Sequence, residues 1–166
     1  MLKRFGEDIK VSVNVTGPIV VTPRFLHFVR QLNENDPFEG KHICLEVTEQ
    51  ATLAFTDETR QSLRALKEMG LQLAIDDFSM GQTSLNYLKD NLFDLIKLDG
   101  SLVKGLFTHR NSREIISSIT HLASSLNMSV LAEFVETEEQ KEALHAIGCD
   151  CYQGWLYSPA VFLDEE

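Results

Sequence analysis

LQLAIDDFSMG, residues 71–81, is an apolar run that stops at two adjacent aspartates and then turns into small, flexible residues. Its length and bounding residues read as a short strand that delivers Asp76 and Asp77 at its C-terminal end. Two neighbouring carboxylates repel each other, so they must be hydrated, paired or bound to a cation.

The same design recurs on either side. VSVNV at 11–15, HICLEVT at 42–48, DLIKLD at 94–99, MSVLAEF at 128–134 and CDCYQGW at 149–155 are further short apolar runs with β-branched character. Segments with helical period lie between them. Thr22 and Pro23 supply an N-cap with proline at the first helical position, and Gly70 and Gly148 stand where helices should stop. Residues 112–126 form the clearest helix, with Ile115, Ile116, Ile119, Leu122, Ala123 and Leu126 on one face. Asn111 with Glu114, and Thr137 with Gln140, have capping-box spacing. Strand and helix alternate through about six units, which implies parallel strands joined by helical crossovers and an α/β fold.

At 166 residues, 43% hydrophobic and 24% charged, the chain is large enough for one well-buried core, and residues 1–166 read as one domain. The formal charge of −10 should repel a polyanion, which argues against polymeric nucleic acid as a partner. No run approaches the roughly 18 apolar residues of a membrane span, so no direct membrane contact and a cytoplasmic location are expected. Cys44, Cys149 and Cys151 fit neither a disulfide framework nor a paired zinc pattern, and they read as buried free thiols.

Each strand carries a polar residue near its C-terminal end: Asn14, Glu46, Asp76 with Asp77, Lys97 with Asp99, Glu133, and Gln153. An open doubly wound sheet concentrates ligand groups at one switch point, whereas a β/α barrel gathers the ends of many strands on one face. Six contributing strands therefore favour a TIM-like barrel. Period two puts Ser12 with Asn14, Cys44 with Glu46, Ala74 with Asp76, and Lys97 with Asp99 on shared, inward faces. A single acid at a strand end is ordinarily a cap or a turn residue. Several converging acids need a cation, and all-oxygen donors fit Mg²⁺, Mn²⁺ or Ca²⁺. Asp76 and Asp77 should alternate in direction, one bridging two cations and the other reaching the second from the rim. Two cations about 3.5–4 Å apart are a recurrent device for phosphodiester hydrolysis. Lys97 has two readings, a Schiff-base nucleophile or a phosphate- or water-positioning ammonium, and the acids around it favour the second. The histidines show no ligand pair at useful spacing.

Taken in order, SVNVT, CLEVTEQ, AIDDFSMGQTSL, IKLD, LAEFVETEEQ and CYQGWLYSP resemble the EAL-domain family of cyclic di-GMP phosphodiesterases, over residues 11–159. The resemblance implies a β/α barrel that hydrolyses cyclic di-GMP to the linear dinucleotide at a two-metal site holding Mg²⁺ or Mn²⁺. It implies that Asn14, Glu46 and Asp76 ligate the first metal and that Asp76 and Asp77 serve the second. Glu133 would help activate water, and Lys97 would orient it or neutralise phosphate charge. Glu49 would steady the loop after the aspartates, Glu136 would support the metal side, and Gln153 would sit against the site or a guanine. Asp99 stands beside Lys97 as a supporting acid, and a homodimer is expected by resemblance.

Three departures accompany the match. The strand that carries the family's name motif, with one metal ligand, has no counterpart before residue 11, and an eight-unit barrel usually takes about 250 residues. The chain therefore reads as the C-terminal two-thirds of the barrel, a partial EAL domain. Ser79 and Gln82 replace a glycine and a tyrosine in the loop after the aspartates. Phe134 stands where the family usually has glycine; it either packs outward under a helix or fills space that a metal or substrate needs. A regulatory module that binds cyclic di-GMP without turnover is the alternative function. An aldolase-like or enolase-like barrel would explain Lys97 and the acids but not the ordered blocks.

Overall fold

The computed structural model describes residues 9–35, 42–48, 56–78 and 88–161. They fall into two compact units, one up to Ile96 and one from Lys97 onward. Glu49, Ser79 and Gln82 lie outside the described residues.

In the first unit, strand β1 (Val11–Val15) leads through a one-turn helix α1 (Gly17–Val20), which the sequence reading did not foresee, into α2 (Pro23–Asn35). Pro23 occupies the first turn, and the Thr22 hydroxyl accepts from the Phe25 amide at 3.2 Å, as the N-cap spacing predicts. Strand β2 (Ile43–Thr48), helix α3 (Asp57–Glu68) and strand β3 (Gln72–Phe78) follow. The three strands pair in parallel, β1 with β2 and β2 with β3. Cys44 through Val47 are all buried, the mark of a parallel strand covered on both faces. Helix α3 is tied down at both ends. The Thr56 hydroxyl caps it by accepting from the Thr59 amide, and Lys67 reaches Asp94 at 2.6 Å, whose other oxygen takes the Leu73 amide. Arg60 meets Asp90 at 2.7 Å, and that hydrogen bond raises the guanidinium pKa above its ordinary value.

Strand β4 (Leu95–Leu98) leads into the second unit, where helix α4 (Gly100–Lys104), helix α5 (Ser112–Ser125), strand β5 (Ser129–Ala132), helix α6 (Glu138–Ala146) and strand β6 (Cys151–Tyr152) follow. Strands β5 and β6 are parallel. Ile116, Ile119 and Ala123 of α5 are fully buried, but Ile115 is 37% exposed and lies off the expected apolar face. The Thr137–Gln140 capping box forms in full. The Asn111–Glu114 box does not: Asn111 has φ −101° and ψ −7°, and its side chain makes no cap hydrogen bond. A capping side chain reaches back to the helix amides from an extended residue, which Asn111 is not. Cys44 and Cys149 are buried and outside any disulfide, as expected, whereas Cys151 is exposed. Among the described residues no helix is long and apolar enough to cross a membrane.

Candidate metal and phosphodiester site

Parallel pairing aligns Asn14 with Glu46, and Glu46 with Ala74. Laterally aligned residues of a sheet share a face, and Asp76 lies two residues beyond Ala74 on that same face. The first unit therefore places Asn14, Glu46 and Asp76 together near the C-terminal ends of three neighbouring strands. Glu46 is buried at 5% exposure and Asp76 is half-buried, but Asn14 is exposed, against the inward placement expected for it. Strand β1 has one described neighbour, and Ser12, Val13 and Asn14 all meet solvent.

The two aspartates depart from simple alternation. Asp77 has φ 55°, a left-handed conformation that Asp tolerates better than most residues. The turn at Asp77 brings a carboxylate oxygen of Asp76 and one of Asp77 within 4.8 Å of each other. Divalent cations bind oxygens at about 2.0–2.6 Å, so both acids can reach one cation. Two carboxylates, a buried glutamate and a side-chain amide form an all-oxygen donor set that suits Mg²⁺ or Mn²⁺. The residues present fit such an ion.

In the second unit Lys97 and Glu133 form a buried ion pair at 3.0 Å, with side-chain exposures of 5% and 14%. Asp99 and the surrounding acids are expected from sequence to hold Lys97 charged; Glu133 is one such acid, whereas Asp99 has a capping role that the spacing does not show. Strand β4 ends at Leu98, and Asp99 turns to cap α4, accepting from the Ser101 amide at 2.7 Å and from the Ser101 hydroxyl. A carboxylate at a helix N-terminus satisfies orphan amides and the helix dipole.

Strand β5 also ends before its expected limit, because Phe134 has φ 56°. The chain then crosses the segment after β6. The Gln153 amide donates to Ala132, the Val135 amide donates to the Gln153 carbonyl at 3.0 Å, and the Leu156 amide donates to the Val135 carbonyl. Gly154, at φ 156°, fits this crossing only because it lacks a side chain: a Cβ there would lie 2.3 Å from the Val135 carbonyl oxygen. A cleft of about 250 Å³ opens beside it, lined by Glu133, Phe134, Glu136, Gln153 and Trp155 among others. Gln153 and Glu136 are exposed there, and the Glu136 amide donates to Gln140 at 2.8 Å. The sequence reading assigned no role to Trp155, which is 75% exposed; a large aromatic next to a functional strand end was the available signal. Phe134, which lines that cleft and is 48% exposed, also lays its ring on Gly100 of α4 and under the Lys104 ammonium, 4.1 Å from the ring centre.

Comparison with known proteins bears on the family and the fold. The family model described as EAL domain matches residues 1–160. The cyclic di-GMP phosphodiesterase PdeF of Escherichia coli is 37% identical over 147 residues, 89% of this chain and 20% of that protein. The chain thus spans about a fifth of the length of the curated relatives it matches. The EAL domain of Mycobacterium smegmatis DcpA is 32% identical, with a TM-score of 0.85 over 93% of this chain and 70% of that one. The PaMucR phosphodiesterase in complex with c-di-GMP is 31% identical, with a TM-score of 0.83 over 94% and 69%. The likeness carries the TIM-like β/α-barrel fold class to these α/β elements. With a family model matched across nearly its whole length, the chain belongs to the EAL-domain family.

Proposed function

We propose that this chain is part of a metal-dependent phosphodiesterase that hydrolyses cyclic di-GMP to the linear dinucleotide. The observation that carries the reading is the aligned oxygen donor set of Asn14, Glu46 and Asp76, with Asp77 within 4.8 Å of Asp76. Relatives above 30% identity that bear the phosphodiesterase name, PdeF among them, support the substrate.

Asn14, Glu46, Asp76 and Asp77 would hold Mg²⁺ or Mn²⁺, which would supply neutralisation of phosphate charge and a lowered pKa for water. Glu133 accepts the proton of the attacking water, acting as general base. Its buried ion pair with Lys97 keeps the lysine charged, so that the ammonium can donate to a non-bridging phosphate oxygen in the developing transition state. Gln153 and Glu136 line the neighbouring cleft and contact the substrate or steady the metal side.

Chromatography of cyclic di-GMP incubated with the full-length protein and Mn²⁺ tests this. One linear dinucleotide per substrate consumed is expected. Tight binding in calorimetry with no product at high protein concentration would replace the enzyme by a cyclic di-GMP-binding regulatory module.

A further inference from the structure

Two segments of the second unit meet twice within a few residues. Lys97 of β4 pairs with Glu133 at 3.0 Å. Three residues after Lys97 and one after Glu133, Gly100 and Phe134 meet again, so closely that a Cβ on Gly100 would lie 2.3 Å from Phe134 Cδ2. The Lys104 ammonium covers the same ring at 4.1 Å from its centre. Phe134 holds a left-handed backbone at φ 56°, which costs a residue with a Cβ about 1–2 kcal/mol and persists only where surrounding contacts fix it. The ring supplies those contacts.

The geometry points to Phe134 as a positioning residue: its ring, seated on Gly100 and capped by Lys104, clasps the segment after β5 to the start of α4 and so holds Glu133 against Lys97. Phe134 acts through Glu133 and touches no reacting atom. For its bearing on catalysis this rests on the phosphodiester reading above, but the clasp itself does not. Aromatic packing combined with a cation over the ring face provides the attraction. Gly100 is part of the device, because any side chain there would push the ring off.

Amine acylation followed by mass spectrometry reads the clasp without substrate or metal. A buried, ion-paired ammonium acylates slowly, so Lys97 in the parent protein should lag far behind Lys67 and Lys141. In Phe134→Ala, Lys97 labelling should rise about tenfold while Lys67 and Lys141 keep their parent rates, a change within the usual coupling of residues in contact. Phe134→Gly removes the ring and also relieves the left-handed backbone, so it should fold at least as well and show the same rise. Phe134→Tyr keeps the ring and should protect Lys97 as the parent does. Unchanged Lys97 labelling in both ring-less variants would overturn the proposal. So would a parallel rise at Lys67, which marks general loosening. If the enzyme reading also holds, the ring-less variants should lose turnover number with little change in KM. Loss of Lys97 protection without any phosphodiesterase activity in the parent would leave the clasp standing and the enzyme reading refuted.

Discussion

Lys97 and Glu133 are ion-paired at 3.0 Å with side-chain exposures of 5% and 14%, so both charges have given up most of their water. Removing one partner takes a counter-charge from a buried group, which costs up to about 3–5 kcal/mol. Lys97→Met is therefore expected to lower both thermal stability and turnover, the latter by roughly a hundredfold or more, since positioned acid–base and electrostatic groups contribute on that order. Differential scanning calorimetry and initial-rate assays on the same preparation check the two effects. Gly154→Ala puts a methyl group against the Val135 carbonyl and should destabilise by about 1–3 kcal/mol, measured by urea unfolding. Sequence marks Lys97 and Glu133 as site residues and sets Lys97 among Asp99 and the surrounding acids, on a strand read as running to residue 99. The strand ends at Leu98, and Asp99 becomes a cap. Local spacing does not reveal where a backbone leaves the sheet, nor that the residue after Glu133 is left-handed.

Among elements, the six strands were legible because short β-branched runs bounded by turn residues have few other readings. Helix starts were legible only in part. Thr137 has φ −132° and ψ 151°, extended as a cap requires, and its box with Gln140 closes; Asn111, with the same spacing to Glu114, is helical and its side chain makes no cap hydrogen bond. Thr137→Ala should thus cost about 1 kcal/mol in chemical denaturation. Asn111→Ala should stay within about 0.5 kcal/mol of the parent. Helix α1 is not legible in the sequence, because four residues with Gly17 and Pro18 carry no helical period. Strand β1 was placed correctly, yet Asn14 is exposed because period two fixes the face of a residue and not how that face is covered.

For the molecule as a whole, the ordered blocks made the family readable, since six motifs constrain a fold far more than composition does. Glu49, Ser79 and Gln82 lie outside the described residues, so the loop after the aspartates stays an expectation. One global property follows from burial. Burial pushes the Cys149 thiol from 9.0 up to about 12. A pKa raised by folding gives stability that is complete below the unfolded value and is lost as pH climbs through the folded one. The chain should therefore weaken between pH 9.0 and about 12, and Cys149→Ala should flatten that loss in melting curves taken across the range. The oxygen donors of the first unit are proposed to serve cation-dependent hydrolysis. The most direct measurement is the initial rate of linear dinucleotide formation from cyclic di-GMP, by mass spectrometry, as Mn²⁺ is titrated into the full-length protein and into Glu46→Gln. The rate should saturate with Mn²⁺ in the parent, vanish in chelator and be lost in the variant. Intact cyclic di-GMP at saturating Mn²⁺, or equal turnover with the cation removed, would contradict it.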